Sequence, residues 1–390
     1  MKENSGKEAH LKECALVFDS MMIRKQLVWD DSKKVNRGYV DVAQIVSAEV
    51  DELAREALVF QIVSYRKRFK CPVAYFLVNK IPVDLLTTLI KTCIVKLYEV
   101  GVVVRTVTCD GAYANIQALR NLGCKLETES IISHFKHPSF DCNVHAILDP
   151  CHMMKLVRNT LADKKVISTV DGEVKWDYIV SLHSLQESEG LKFANSISKQ
   201  HINFFNKKMN VSLAAQTLSS SVADTIEFLD FHNHPDFHGL AATVAFIRKI
   251  DKLFDILNSR NVFGKGFKQP LRLENMNFIQ NYFAEMEAFL KSVSIDGVPI
   301  LSHPRKTFVF GFLMCMKSIG LLVPEFLYRE NDPFSYFLPY KVSQDHIELL
   351  FSCIRARGGW NNNPNCIQFQ SALKSLLLKK CYSRLQCQCD

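Results

Sequence analysis

The sequence predicts an α/β fold: a mixed sheet interrupted by a large all-helical insertion. Apolar runs rich in β-forming residues alternate with helical segments over 14–155, and two of these runs are typical of strands buried on both faces. Long helical stretches dominate from 156 to 325, which predicts the insertion. The predicted division is a tail (1–13), an α/β part (14–155), the helical insertion (156–325), a second α/β part (326–380) and a tail (381–390).

The first predicted elements are strands. Residues 14–29 contain strand-forming sequence, and the polar segment 30–38 turns the chain into 39–42, which predicts a hairpin. The apolar runs 57–65 and 71–78 predict two further strands, joined by the basic sequence RKRFK. That sequence is either a solvated hairpin tip or a contact to DNA.

Helices and strands then alternate. Pro82 and Asp84 open a helix that ends at Gly101. The run VVVRTVTCD (102–110) predicts a buried parallel strand, and a short helix follows it. A strand at 144–149 leads into a helix that starts at a proline.

The insertion and the segment after it are predicted to be helical. Two long helical stretches cover 210–229 and 240–259. Residues 343–357 predict a further helix, which ends at GGWNNNPN, and an apolar helix follows it to about residue 379.

Composition narrows the class of protein. The net charge of +8 suits a polyanionic partner such as DNA. The sequence shows neither an apolar signal segment nor an apolar run of roughly 18 residues, so we expect no membrane partner and a cytosolic or nuclear location. The 13 cysteines lack paired CxxC spacing and many lie in apolar stretches, which favours reduced, buried thiols over disulfides or structural zinc.

Three acidic positions are candidates for phosphoryl-transfer chemistry: Asp110, Asp41 or Asp19, and Glu348. Such chemistry uses two divalent cations, and carboxylates at neighbouring strand ends suit Mg²⁺. Asp110 ends an apolar strand, where ligand sites of α/β sheets form, although it is equally suited to cap the next helix. Glu348 lies on a predicted helix and would reach the site only if the fold brings that helix over the sheet.

Several blocks of the sequence resemble the P-element-type transposases, which include the vertebrate THAP-containing relatives. The blocks occur in order over roughly 14–380 and read VTCDGAYANIQALRNLG, DPCHMMKLVRN, LAAQTLSSSVADTIEFL, FDILNSRNVFGKGF and SQDHIELLFSCIRARGGWNNNPN. The resemblance implies a ribonuclease-H-like domain split by a helical, guanine-nucleotide-binding insertion. It also implies an acidic triad that includes Asp110 and Glu348.

The first acid of the triad is left open between two residues. Asp19 lies in the middle of a predicted strand, as a first-strand aspartate should. Asp41 is favoured, because a sheet that starts at 39–42 gives the expected element order with no strand left over. The predicted metal ligands are therefore Asp41, Asp110 and Glu348, with Asp19 as the alternative first acid.

The sequence GxxxxGK[ST] is absent, which excludes a P-loop. If the insertion binds GTP, the resemblance selects Asp255, Asn258 and Asp345 to face the base. Ordinary polar contacts at a helix end, or a helix cap for Asp345, are the competing interpretation. In the DxxH sequence of the DPCHMMKL block, Asp149 is expected to cap the following helix.

The sequence departs from the family in lacking its amino-terminal C2CH zinc finger and a coiled-coil segment. We therefore expect a fragment, an isoform or a domesticated remnant. The leading hypothesis is a nuclear, Mg²⁺- or Mn²⁺-dependent DNA transposase core that is a homo-oligomer when active. The rival is a non-catalytic nuclear protein that binds DNA or a protein partner, and a weaker third hypothesis is a GTP-dependent assembly module.

Overall fold

The computed structural model describes residues 12–31, 33–42, 52–127 and 130–386, with side chains up to residue 378. The strands run in chain order as follows: β1 (Glu13–Met22), β2 (Val28–Asp30), β3 (Val35–Arg37), β4 (Glu56–Ser64), β5 (Lys70–Val78), β6 (Val103–Cys109), β7 (Lys125–Leu126), β8 (Ile131–Ile132), β9 (His134–Lys136), β10 (Asn143–Leu148), β11 (Val166–Thr169), β12 (Gly172–Lys175), β13 (Ser294–Ile295) and β14 (Val298–Pro299).

The α-helices are α1 (Val83–Glu99), α2 (Tyr113–Leu122), α3 (Pro150–Lys164), α4 (Asp177–Ser188), α5 (Lys199–Ile202), α6 (Val211–Thr217), α7 (Ser220–Phe231), α8 (Ala241–Leu257), α9 (Met276–Ser292), α10 (Thr307–Leu327), α11 (Asp345–Arg357) and α12 (Cys366–Gln386). Most predicted elements agree with these bounds to within one or two residues. The helical stretch predicted at 210–229 is two helices, because the chain leaves helical geometry at Leu218 and Ser219.

The described chain divides into two compact units. One contains 12–124, 134–146 and the residues from 341 onward, and the other contains 125–133 and 147–340. These boundaries fall near 146 and 340, whereas the sequence placed them at 155 and 325. The predicted N-terminal tail lies outside the described residues except for 12 and 13, and α12 continues to Gln386 through most of the predicted C-terminal tail.

The first unit is built on a mixed sheet with the strand order β5-β4-β1-β6-β10-β9. Strand β1 pairs antiparallel with β4 and parallel with β6. Residues 14–18 of β1 are buried on both faces, which explains their uniformly apolar sequence. Helix α1 packs on β6 and α2, while α11 packs on β1 and β4.

The second unit is mainly helical, with α3 packed against α6, α8 and α10. Its core is rich in aromatic side chains, including the fully buried Trp176, Phe204, Phe246 and Phe312. A small sheet of order β12-β11-β13-β14 lies within it, which the sequence analysis did not predict. Strands β13 and β14 are two residues long, too short to show an alternating pattern.

Helix α10 is interrupted by Lys317 and is therefore not the uninterrupted apolar run sought in the sequence, but it has the length and mean hydropathy of a membrane span. Because 72% of its apolar window is buried within the structure, it resembles the core helix of a globular unit. The described cysteines are free thiols, most of them buried. Burial raises the pKa of Cys14, Cys93 and Cys124 to about 12, so these thiols stay protonated and unreactive.

Candidate active site

Asp19 and Asp110 lie at the same level along two adjacent parallel strands, β1 and β6. Val17 of β1 lies opposite Thr108 of β6, and each aspartate comes two residues later in its own chain. Both side chains are half-buried. The two carboxylates therefore lie at one level of the sheet, toward the carboxyl-terminal side of β1 and β6, which is the side where α/β folds bind ligands.

The carboxylate of Asp110 is oriented by two donors. Its Oδ1 accepts hydrogen bonds from the backbone N–H of Ala112, at 3.0 Å, and from Nδ2 of Asn115, at 2.6 Å. Asn115 lies on α2, whose N-cap is Ala112 without a side-chain cap. Both bonds use the same oxygen, so among the described residues no hydrogen bond is made to Oδ2.

Glu348 lies in the first turn of α11, and two buried hydrogen bonds fix the segment that leads into this helix. Nε2 of Gln344 donates to the carbonyl oxygen of Phe18 in β1, at 2.9 Å. Oγ1 of Thr108 in β6 donates to the carbonyl oxygen of Val342, at 2.8 Å. The helix thus begins beside the two strands that carry the aspartates, and Glu348 is exposed on its first turn.

The resemblance to transposases implies a divalent metal, and the carboxylates fit this metal in part. Asp19 and Asp110 provide the hard oxygen ligands that Mg²⁺ prefers. Among the described residues, however, no group of three or more His, Cys, Asp or Glu side chains is close enough together to hold a metal ion. Asp19 and Asp110 thus form a candidate pair of metal ligands, and Glu348 is the candidate third ligand.

Asp41 lies elsewhere. Its backbone N–H and C=O pair with Leu77 on the outer side of β5, at 2.8 and 3.0 Å. Strands β5 and β4 separate it from β1, which corresponds to three strand spacings, or about 14 Å. The strand count that favoured Asp41 was wrong, because the sheet begins with β1 and residues 39–42 form only isolated bridges.

Sequence reasoning missed Thr108, Asn115 and Gln344. Thr108 carried a weak signal, since a polar residue in an otherwise apolar buried strand needs a hydrogen-bond partner. Nothing local marked Asn115 or Gln344, because each acts on a residue that only the tertiary fold brings near. The expected helix cap by Asp149 is confirmed: its Oδ2 accepts from the N–H of His152, at 2.8 Å.

Asp255 and Asn258 line a cavity of about 430 Å³ in the second unit. This volume is within the range of small-molecule sites. Three cationic side chains also line it: Arg260, Lys265 and Lys268. The remaining lining residues are Ser259, Asn261, Phe263 and Gly264.

The carboxyl of Asp255 is poorly solvated. Burial, followed by repulsion from Asp251, raises its pKa from 3.8 to about 6, although Lys268 lies 3.7 Å away and opposes the shift. Asp345 begins α11 in the first unit and is not among the described residues that line this cavity. Its grouping with Asp255 and Asn258 stays a prediction.

Three family models match the chain. They are described as TNP-like, RNase H N-terminal domain, over residues 1–123; TNP-like, GTP-binding insertion domain, over 151–270; and TNP-like, RNase H C-terminal domain, over 340–374.

The human (Homo sapiens) DNA transposase THAP9 is 32% identical over 367 residues, which cover 93% of this chain and 40% of that protein. The Transposable element P transposase of Drosophila melanogaster is 25% identical over 398 residues, covering 98% and 48%. The chain belongs to the P-element-type transposase family.

A solved structure described as the Drosophila P element transposase strand transfer complex aligns with a TM-score of 0.80 at 23% identity. The alignment covers 96% of this chain and 78% of that one. The fold of this chain is thus ribonuclease-H-like and carries an insertion domain, as the sequence predicted. The chain spans less than half the length of the two curated relatives.

Proposed function

We propose that the chain is the catalytic core of a metal-dependent DNA transposase, with Asp19, Asp110 and Glu348 as its acidic residues. The single observation that carries this proposal is the placement of Asp19 and Asp110 at the same level of the adjacent parallel strands β1 and β6. The anchored start of α11 supports the inclusion of Glu348.

Each acid has a role that follows from its position. Asp19, on the central strand, and Asp110, with Oδ1 held by Asn115, offer carboxylate oxygens at one sheet edge. Glu348, exposed on the first turn of α11, would complete the ligand set. Mg²⁺ or Mn²⁺, when bound, would activate the attacking water or DNA 3′-hydroxyl and stabilise the leaving oxygen.

DNA is the proposed substrate and partner. The net charge of +8 favours a polyanion. A nuclear location follows from that substrate, and homo-oligomerisation is proposed because joining two DNA ends requires two active sites in one assembly. The alternative is a domesticated protein that binds DNA or a protein partner and whose acids are idle.

The test is a nicking and strand-transfer assay on labelled DNA with Mg²⁺ or Mn²⁺. Wild type should cut and join strands, whereas Asp110→Ala and Glu348→Ala should do neither while binding DNA normally. If wild type binds DNA but does not cut it under any metal condition, the binding-protein alternative holds. Equal activity in wild type and Asp110→Ala would exclude this site.

We also propose that the second unit binds a guanine nucleotide at the Asp255 cavity. The family model that matches 151–270 is named for GTP binding, and the cavity combines a carboxylate with cations that suit phosphates. An ionised Asp255 can accept hydrogen bonds from N1–H and the 2-amino group of guanine.

Nucleotide binding is tested by comparing GTP with ITP, which lacks the 2-amino group. Wild type should prefer GTP, and Asp255→Asn should remove most of that preference. Asp230→Asn, which alters a half-buried carboxylate of the same unit that contacts His238 outside the cavity, is the control. Equal affinity of wild type for GTP and ITP would contradict the role of Asp255.

A further inference from the structure

The β4–β5 hairpin ends in the basic sequence RKRFK, at residues 66–70. Lys67 and Arg68 are exposed at the tip, and neither side chain forms an ion pair within the described part of the chain. Arg66 and Lys70 add two further cations to the same turn. The tip thus concentrates positive charge at one point of the first unit.

The tip is held in place by buried contacts. The hydroxyl of Tyr65 is 2.8 Å from Oγ1 of Thr106 in β6. Nζ of Lys341, a side chain only 5% exposed, donates to the carbonyl oxygen of Lys67 at 2.6 Å. A hairpin tip fixed in this way loses little conformational entropy when it binds a partner.

The positive charges at the tip repel one another. The pKa of Lys341 is lowered to about 8, first by burial and then by Arg68, with Lys70 adding to the effect and Cys14 opposing it. Glu13 is the nearby anion, but its carboxylate is 3.1 Å from the guanidinium of Arg105. Part of the negative charge of Glu13 is therefore already neutralised by a cation outside the tip. Clustered like charges destabilise a fold, and an anionic partner would relieve the repulsion.

The hairpin tip lies at the opposite end of the sheet from the acids. Cys14 of β1 pairs with Ser64, next to the tip, whereas Asp19 pairs with Val59. Five residues of strand separate these two levels, or roughly 17 Å. Phosphates in contact with the tip are therefore several base pairs away from the acidic site, since each pair advances about 3.4 Å.

We propose that the β4–β5 hairpin tip is a second DNA-contact surface that binds the phosphate backbone of duplex DNA away from the acidic site. The proposal rests on the DNA-processing function proposed above and adds a specific surface to it. Lys67 and Arg68 make the contacts, and Lys341 and Tyr65 hold the turn. Because the contacts are to phosphates, the surface adds affinity without reading sequence.

The experiment measures the affinity for a 30-base-pair duplex at several salt concentrations, by fluorescence anisotropy. The variant is Lys67→Gln with Arg68→Gln. The matched control is Lys91→Gln with Lys96→Gln, which removes the same charge from exposed positions on α1 of the same unit. All proteins are also measured with Asp110→Ala, so that cutting does not disturb the binding signal.

The hairpin variant should bind roughly ten- to a hundredfold more weakly at 0.1 M salt, and its plot of log affinity against log salt should be shallower by about 2, or 0.9 per lost phosphate contact. The control should change both values little. An unchanged slope in the hairpin variant, or an equal loss in the control, would overturn the proposal. The proposal would also be overturned if the hairpin variant bound acidic lipid vesicles more weakly than wild type does but bound DNA equally well.

Failure of this proposal is distinguishable from failure of the proposed function. If wild type cuts DNA and the hairpin variant binds normally, the hairpin surface is excluded while the catalytic proposal stands. If wild type never cuts but the hairpin variant shows the shallower slope, the surface stands and the catalytic proposal fails.

Discussion

Asp110 depends on its neighbour Asn115 for the orientation of its carboxylate. Asn115→Ala removes the 2.6 Å hydrogen bond to Oδ1 and leaves the carboxyl group held by the backbone N–H of Ala112 alone. Loss of such an outer-shell partner typically weakens metal binding by about 10–100-fold. We therefore expect the Mg²⁺ concentration for half-maximal nicking to rise by roughly that factor, with partial recovery at saturating metal.

The control for Asn115 is Asn121→Ala on the same helix. Asn121 also donates an amide hydrogen bond to a carboxylate, that of Asp84, at 3.2 Å, but away from the site. Its Mg²⁺ requirement should match wild type. A similar shift in both variants would mean that α2 is merely destabilised, and no shift in Asn115→Ala would contradict the positioning role.

Asp255 is expected to weaken the fold of its unit at neutral pH. Its pKa is 3.8 in solution and about 6 when folded, so the stability that its protonated form contributes is complete below pH 3.8 and lost as the pH rises through 6. Asp255→Asn removes this ionisation. The variant should be more stable than wild type at pH 8 by roughly 1–3 kcal/mol, with the difference disappearing near pH 4.

This difference is measurable by urea unfolding at both pH values, followed by tryptophan fluorescence, to which the buried Trp176 of the same unit contributes. Equal stability of wild type and Asp255→Asn at pH 8 would show that the carboxylate is better solvated than the structure indicates. Asp255→Asn would then stabilise the fold and weaken nucleotide binding. Such a trade-off is expected where a binding site lowers the stability of the fold.

At the scale of the elements, strand β6 links the sheet to α11 through Thr108. Thr108→Val keeps the side-chain shape but leaves the carbonyl oxygen of Val342 without its donor. The expected cost is about 1–2 kcal/mol of stability. Because the start of α11 then keeps the Gln344 bond to Phe18 but loses the bond from Thr108, the nicking rate should also fall, even at temperatures where the variant remains folded.

Thr106→Val provides a matched control on the same strand. Thr106 is equally buried, but its hydroxyl contacts Tyr65 at the hairpin end of the sheet. It should lose similar stability and, at DNA concentrations that saturate binding, keep its nicking rate. Equal rates for Thr106→Val and Thr108→Val would contradict the idea that Thr108 positions α11.

Much of the element order could be predicted from the sequence, because buried strands and amphipathic helices leave local patterns. The run ending at Asp110 and the helix carrying Glu348 are examples. The first acid could not be predicted, since Asp19 and Asp41 both lie in strand-like sequence and only the pairing of β1 with β6 distinguishes them. The small sheet of the insertion was missed because its strands are too short to carry a pattern.

At the scale of the whole molecule, cationic and anionic groups are separated within the first unit. The acids lie in the carboxyl half of β1 and directly after β6, and the RKRFK tip lies by the amino end of β1. Such a separation lets a polyanion bind at the cationic end without opposing metal binding at the acidic end. DNA binding should therefore persist in metal chelators, whereas cutting should stop.

The central claim is that the first acid is Asp19 and that it acts with Asp110. The most direct test compares Asp19→Ala with Asp41→Ala in the nicking assay, because the two substitutions are chemically identical and their positions are about 14 Å apart across the sheet. Asp19→Ala should lose more than about a hundredfold in rate, beyond the loss typical of an outer-shell partner, and Asp41→Ala should match wild type. Full activity in Asp19→Ala together with loss in Asp41→Ala would contradict the account.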